Sequence, residues 1–339
     1  MVSNLKTPSS FKLFLMFPGA SHPKGNISDK YGSPMLLRGG KETIEGYLLL
    51  GGGTALWSTI EVASKYLGGT FTPTGIAAVR FGLSSLLLLP LFWKALRRDG
   101  LLGGRVRERA FKLAALGLFG ITGTFLLYHL SLDYIPASSA AVIVSSVPVF
   151  VAILSVFLFK EHFTPIKVLG VAGGLAGLLL LLLSRGGIAY SPVGYSLILA
   201  ATLLFSLYTA LSHPLMKSMG AAAFTSTTLL FGTAGFLPFL LHPSSGGMLR
   251  GSPGMEELLL ILYLGVVATG GGYILYFAGL SKVSPGAGST LLFLKPPIAS
   301  ALAVLLLGER VTLPLLLSIV VISLSVYLVI SSPSKKIEG

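Results

Sequence analysis

The sequence has no cysteine, which excludes disulfides, zinc–thiolate centres and thiol nucleophiles and leaves the redox compartment unreadable. Charge is scarce too: 11% of the 339 residues are Asp, Glu, Lys or Arg, while 53% are hydrophobic. A soluble globular domain carries about 25% charged residues, so no such domain of ordinary size is hidden here. The signatures G-x-x-x-x-G-K-[ST], H-E-x-x-H and G-x-S-x-G are all missing. ATP hydrolysis by a P-loop is thereby excluded, and neither a metal nor another cofactor is expected. An intramembrane enzyme would need acids, histidines or a nucleophile clustered near one membrane face, and the apolar segments offer too few. A passive channel would show a ring of like charges or a repeated carbonyl filter, and neither is visible.

What is present is a polar stretch, 1–44, followed by ten apolar segments. The stretch is rich in Ser, Gly, Pro and Lys, and its apolar piece at 13–17 is too short to span a membrane or to form a signal sequence. A disordered cytoplasmic tail is expected over 1–44, with Met35 an alternative start, and a second short tail over 332–339. The apolar segments cover 46–67, 74–93, 111–132, 137–159, 166–184, 193–216, 221–241, 258–280, 285–307 and 313–330. Each is long enough, at about 1.5 Å per residue, to cross most or all of a hydrocarbon core about 30 Å thick. The longest loops, 94–110 and 242–257, cannot hold a catalytic domain.

The two halves of the chain are copies. A shift of 148 residues, without a gap, lays Tyr47 on Tyr195, Ser58 on Ser206, Pro90 on Pro238, Tyr128 on Tyr276, Pro148 on Pro296 and Glu161 on Glu309. Matches of Leu or Gly mean little in an apolar sequence, but ungapped matches of Tyr, Pro and Glu mark an internal duplication. Each copy, 45–185 and 193–331, holds five segments, and because five is odd the copies enter the membrane in opposite orientations. The expected fold is therefore an all-α membrane protein of ten transmembrane helices in two inverted-topology repeats. With both termini in the cytoplasm, nineteen Lys and Arg fall on that side against Lys65, Arg185, Arg250 and Arg310 outside. The positive-inside rule selects that orientation, and the net charge of +13 reads as a topology signal rather than a nucleic-acid footprint.

Two ionisable residues inside the spans stand out. Lys295 lies mid-segment in 285–307, and its repeat mate is Val147, so packing did not require a charge there. A charge near a bilayer centre costs at least about 2.5 kcal/mol, which points it at a water-filled path or a partner. Pro296 and Pro297 remove backbone donors at the same level. Glu61 shares a helical face with Trp57, four residues earlier. It reads either as a group that recognises an amine or carries a proton, or as the structural partner of Arg80, which is taken as a gating or structural charge. His129 reads first as a hydrogen-bonded packing residue and second as a relay. Tyr273 and Tyr276 align with Phe125 and Tyr128, and both packing and cavity lining stand open. The candidate substrate-binding set is Lys295, Glu61, Trp57, Tyr273, Tyr276, Tyr128 and His129. Glu161 and Glu309 read as caps or loop anchors. Gly170, Gly173, Gly174 and Gly177 make segment five a close-packing helix, as do Ser318 and Ser325 in segment ten, and these two could also meet a second copy in a homodimer.

The run Trp57-Ser58 to Lys65, then Ala77 to Phe81, Ser138-Ser139-Ala140 to Pro148 and Glu161, and again Pro296 to Gly308-Glu309-Arg310 and Thr312, resembles EamA-type ten-helix members of the drug/metabolite transporter superfamily. The resemblance spans 45–330 and implies a central cavity and export or exchange of small metabolites. Ser58 stands where a glycine commonly follows the tryptophan, and Lys295 where an acid is common. The resulting expectation is a secondary transporter of the cell membrane that works by alternating access on an amino acid or other carboxylate-bearing zwitterion, exporting it. An exchanger of anionic, phosphorylated metabolites and a proton-coupled multidrug exporter are the alternatives, ahead of an intramembrane enzyme or a channel.

Overall fold

The structure, a computed structural model, describes residues 41–98, 104–135, 140, 143–184, 191–241, 247–307 and 312–332. Most of the expected amino-terminal tail, nearly all of the carboxy-terminal one, and the Ser138-Ser139 and 308–310 motif stretches lie outside the described residues. Helix α1 (Lys41–Ser58) starts inside the stretch assigned to the tail. It meets α2 (Ile60–Leu67) at Thr59, whose hydroxyl donates to Leu56 O at 2.8 Å and lies 2.9 Å from the Tyr263 hydroxyl. Segment one is thus two helices rather than one. Segment two is α3 (Pro73–Arg98). Segment three is α4 (Gly104–Gly117), a π-helical stretch Leu118–Gly123, and α5 (Thr124–Ser131).

In segment four, Pro148 sits in the first turn of α6 (Val147–Phe159), where its missing donor is harmless. α7 (Pro165–Ser184) follows. The second copy runs α8 (Pro192–Met219), α9 (Ala221–Leu241) and α10 (Met255–Tyr263). Then come a π-helical stretch Leu264–Gly271, α11 (Gly272–Leu280), the single turn α12 (Pro285–Ser289), a 3₁₀ stretch Thr290–Leu294, α13 (Lys295–Leu307) and α14 (Leu313–Ser331). Eight helical stretches among the described residues are long and apolar enough to cross a membrane. The broken segment one and the 13-residue α6 accompany them. The β pairing among the described residues is an isolated antiparallel bridge, Phe71 to Leu249.

The copies interlock rather than lie side by side. α3 packs on α9 and α7 on α14, each helix on its own repeat mate, while α6 packs on α12, α1 on α11 and α5 on α8. Residues that touch their own mates mark the pseudo-two-fold axis. Ser85 Oγ lies 2.7 Å from Thr233 Oγ1, and the rings of Trp57 and Phe205 are 6.2 Å apart; both pairs are separated by 148 positions. The two π-helical stretches fall at corresponding places in the copies. In the second, the Gly265 carbonyl, freed from regular helical bonding, accepts the Ser84 hydroxyl at 2.6 Å. Buried hydroxyls elsewhere mostly donate to carbonyls three or four residues back, as Ser58 does to Thr54 O and Ser206 to Thr202 O.

The small face of α7 is spent inside the chain. A Cβ at Gly170 would lie 2.6 Å from Val329 Cγ2, and one at Gly177 2.5 Å from Ile322 Cγ1, so α14 approaches as closely as only glycine permits. The opposite sides of these helices are leucine-rich, with Leu169, Leu179, Leu317 and Leu324 exposed.

Candidate functional site

Between the copies lies a cavity of about 560 Å³. It reaches the surface beside α2 and the turn at 68–73, where Lys65, Pro73 and Arg250 are exposed, and it runs inward to buried Trp57, Tyr273 and Val147. Beyond Trp57 the interface is shut by Leu50, Tyr276, Phe277, Leu280 and Ala287, none of which has any exposed surface. The axis contact between Trp57 and Phe205 puts the blind end of the cavity at the level where the two repeats exchange places. In repeat-built carriers the cargo site lies at the repeat interface.

Lys295 is the first residue of α13 and lines the cavity half-buried, with Pro296, Ala299 and Ser300. Neither proline can donate a helical bond to the carbonyl four residues back, so the preceding turn tightens to 3₁₀ and a fresh helix starts at the lysine. Val147, its repeat mate, lines the same cavity, so the charge asymmetry read from the sequence is an asymmetry of the cavity wall.

Trp57 ends α1. Its ring centroid stands 4.9 Å from that of Tyr273 and 4.7 Å from that of Tyr276. Its indole Nε1 is buried with no hydrogen-bond partner among the described residues, as are Thr124 Oγ1 and His129 Nδ1, and all three residues line the cavity. A buried polar atom left unpaired costs about 1–3 kcal/mol, so these atoms are where a polar solute or water would bind. Arg80 is buried with its guanidinium carbon 4.7 Å from the centroid of the Phe81 ring and 4.9 Å from that of Phe125, cation–π contacts that offset part of its desolvation cost. Lys65, Arg80, Arg250 and Lys295 thus give the described lining four cationic side chains and no acid.

A model of the EamA-like transporter family matches twice, over residues 44–183 and 192–331. The chain belongs to the EamA-like transporter family. It is an integral membrane transporter of that type. One EamA-like relative, an uncharacterized transporter of Clostridium kluyveri, is 25% identical over 299 residues, 86% of this chain and 94% of that protein. A protein of Streptantibioticus cattleyicolor named as a probable terminal-alkyne amino-acid exporter is 27% identical over 214 residues, 62% of this chain and 70% of that one. A crystal structure of a protein 21% identical matches with a TM-score of 0.70 over 84% of this chain and 95% of the other, which shows the shared fold.

In this EamA-like chain the cavity brings together Lys295, Trp57, Tyr273, Tyr128, His129 and Arg80. Tyr276 is not among the lining residues: it is fully buried, tilted against Trp57 and edge-on to Phe277 at 5.3 Å, because the glycines Gly53 and Gly272 let α1 and α11 close over it. The Glu61 side chain lies outside the described residues. Phe205, missed as a site residue, was findable as the repeat mate of Trp57. Arg250 carries no such signal. It reaches the mouth because the 247–251 loop is clasped to the 68–72 turn, with Arg250 N–H donating to Thr70 O at 2.8 Å, Thr72 N–H to Met248 O at 3.1 Å and the guanidinium to Gly68 O at 3.0 Å.

Proposed function

We propose that this protein is a secondary transporter that exports an amino acid or a similar carboxylate-bearing zwitterion by alternating access between its two repeats. The observation that carries the reading is Lys295 on the wall of a cavity at the repeat interface, opposite its neutral mate Val147. The carboxylate is held at Lys295, and the apolar body rests on Trp57, Tyr273 and Phe205. The amine is assigned to Glu61 on the sequence alone, four residues from Trp57. The name of the Streptantibioticus cattleyicolor relative, an amino-acid exporter, supports the same class. The excess of Lys and Arg at the opposite end supports a cell-membrane orientation with both termini in the cytoplasm, which makes the cavity mouth external.

One observation favours a second reading, exchange of anionic phosphorylated metabolites. Four cations line the cavity and none of its described lining residues is acidic. A thermal-shift screen of the purified protein separates the two. A ligand at a hundredfold excess over its Kd stabilises by about 2.7 kcal/mol, which is readily seen. Amino acids should raise the melting temperature, while matched carboxylic acids without the amine and matched amines without the carboxylate should do so less. Stabilisation by phosphorylated metabolites alone would move the assignment to the exchanger. Stabilisation by lipophilic cations alone would remove both.

A further inference from the structure

The end of the interface opposite the cavity mouth is held by a buried carboxylate that substrate binding does not use. Glu161 is only 8% exposed and accepts from the Ser284 hydroxyl at 2.7 Å and from the Gly286 N–H at 3.2 Å. Glu161 belongs to the first repeat; Ser284 and Gly286 belong to the second. Behind the carboxylate, Lys167 Nζ lies 3.8 Å away with its side chain fully buried, on the same repeat as Glu161. When the bonds to Ser284 and Gly286 break, Glu161 therefore keeps a counter-charge, which a buried acid needs if it is to change partners.

Two backbone features serve this contact. Lys160, which caps α6, has φ +52°, the left-handed region that a lysine occupies at a cost. The second copy carries glycine, Gly308, at the corresponding position. The left-handed turn directs the chain so that Glu161 points back toward α12. On the other repeat, a Cβ at Gly286 would lie 2.8 Å from Glu161 Oε2, so only glycine lets the carboxylate reach that N–H.

We infer that Glu161 is a positioning residue for transport: by clasping Ser284 and Gly286 across the repeat boundary it holds the path shut on the side opposite the cavity mouth, and the path opens there when the clasp releases. This rests on the alternating-access reading above. A closing contact that joins the repeats at one end while the cavity stands open at the other biases the equilibrium between the two facings. Each hydrogen bond to the charged acceptor shifts that equilibrium by roughly tenfold or more.

The absence of cysteine makes the test clean. Ser64 lines the cavity, and its repeat mate Ser212 is fully buried on the closed side. Single cysteines Ser64→Cys and Ser212→Cys, in a reconstituted protein of known orientation, report the two facings through their reaction rates with a membrane-impermeant thiol reagent added to either side. Adding Glu161→Ala or Gly286→Ala should raise the Ser212→Cys rate roughly tenfold or more and lower the Ser64→Cys rate. Ser284→Ala, a mild change that leaves Glu161 in place, should shift both rates the same way by less, and Ser284→Thr, which keeps the hydroxyl, should leave them unchanged. Loss of protein would not produce reciprocal changes of two rates. If Ser212→Cys reacts in the parent protein but neither rate moves in Ser284→Ala or Glu161→Ala, the inference is overturned while alternating access stands. If Ser212→Cys reacts from no side in any background, alternating access itself fails, and the gate with it.

Discussion

Lys295 and Val147, repeat-related positions of unlike charge, both line the cavity. Charge-assisted contacts to a carboxylate are worth about 1.5–3 kcal/mol, or roughly 10- to 150-fold in affinity. Lys295→Met keeps the length and discards the charge, so it should weaken the apparent affinity for a carboxylate-bearing substrate by about that factor. Lys295→Arg should keep part of the activity, because the charge survives with a larger, planar head group. Uptake into proteoliposomes with matched protein content measures both, and unchanged affinity in Lys295→Met would remove Lys295 from the site. At this scale the sequence was informative where a charge or aromatic sat inside an apolar run, as with Lys295, Arg80 and Trp57. It was silent on Arg250, whose place at the mouth depends on backbone bonds between loops 180 residues apart in the chain, such as Arg250 N–H to Thr70 O. It also left the split between Tyr273, which lines the cavity, and Tyr276, which does not, to the rotation of α11 against α1.

Among the helices, α7 and α14 show how small residues set the architecture. The Cβ built at Gly170 falls 2.6 Å from Val329 Cγ2 and 2.9 Å from Ser325 O, and part of that contact is backbone that cannot yield. Gly170→Leu should therefore force the helices apart, costing about 1–3 kcal/mol or more, with a lower melting temperature for the purified protein. Its ligand preference in the thermal-shift screen should stay the same, since α7 supplies only Leu181 to the cavity lining. An unchanged melting temperature would mean that the α7–α14 contact is looser than described. The G-x-x-x-G spacing marked α7 as a close-packing helix but not α14 as its partner, and Pro296-Pro297 marked a loosened helix but not its restart at Lys295. The π-helical stretches and the break at Thr59 were not readable. They contain no proline, and they rest on tertiary bonds such as Ser84 Oγ to Gly265 O and Thr59 to Tyr263.

At the scale of the whole molecule, the 148-residue shift foretold an inverted duplication, and the contacts Ser85 to Thr233 and Trp57 to Phe205 mark its axis. The repeat does not foretell which facing is occupied, because both facings satisfy the same sequence symmetry. The contacts that differ between the copies distinguish it: Glu161 bonds Ser284 and Gly286, whose repeat mates are Pro136 and Ser138, at one end, while Lys65 and Arg250 stand exposed at the other. The carrier we propose has one cavity, reached from one side at a time. Counterflow in proteoliposomes tests that most directly. Vesicles loaded with an unlabelled amino-acid mixture and placed in a trace of labelled amino acids should accumulate label transiently and saturably, and the accumulation should fall sharply in Lys295→Met. Flux that rises linearly with concentration and shows no overshoot, equal in the parent protein and in Lys295→Met, would contradict a carrier that binds its cargo at this cavity.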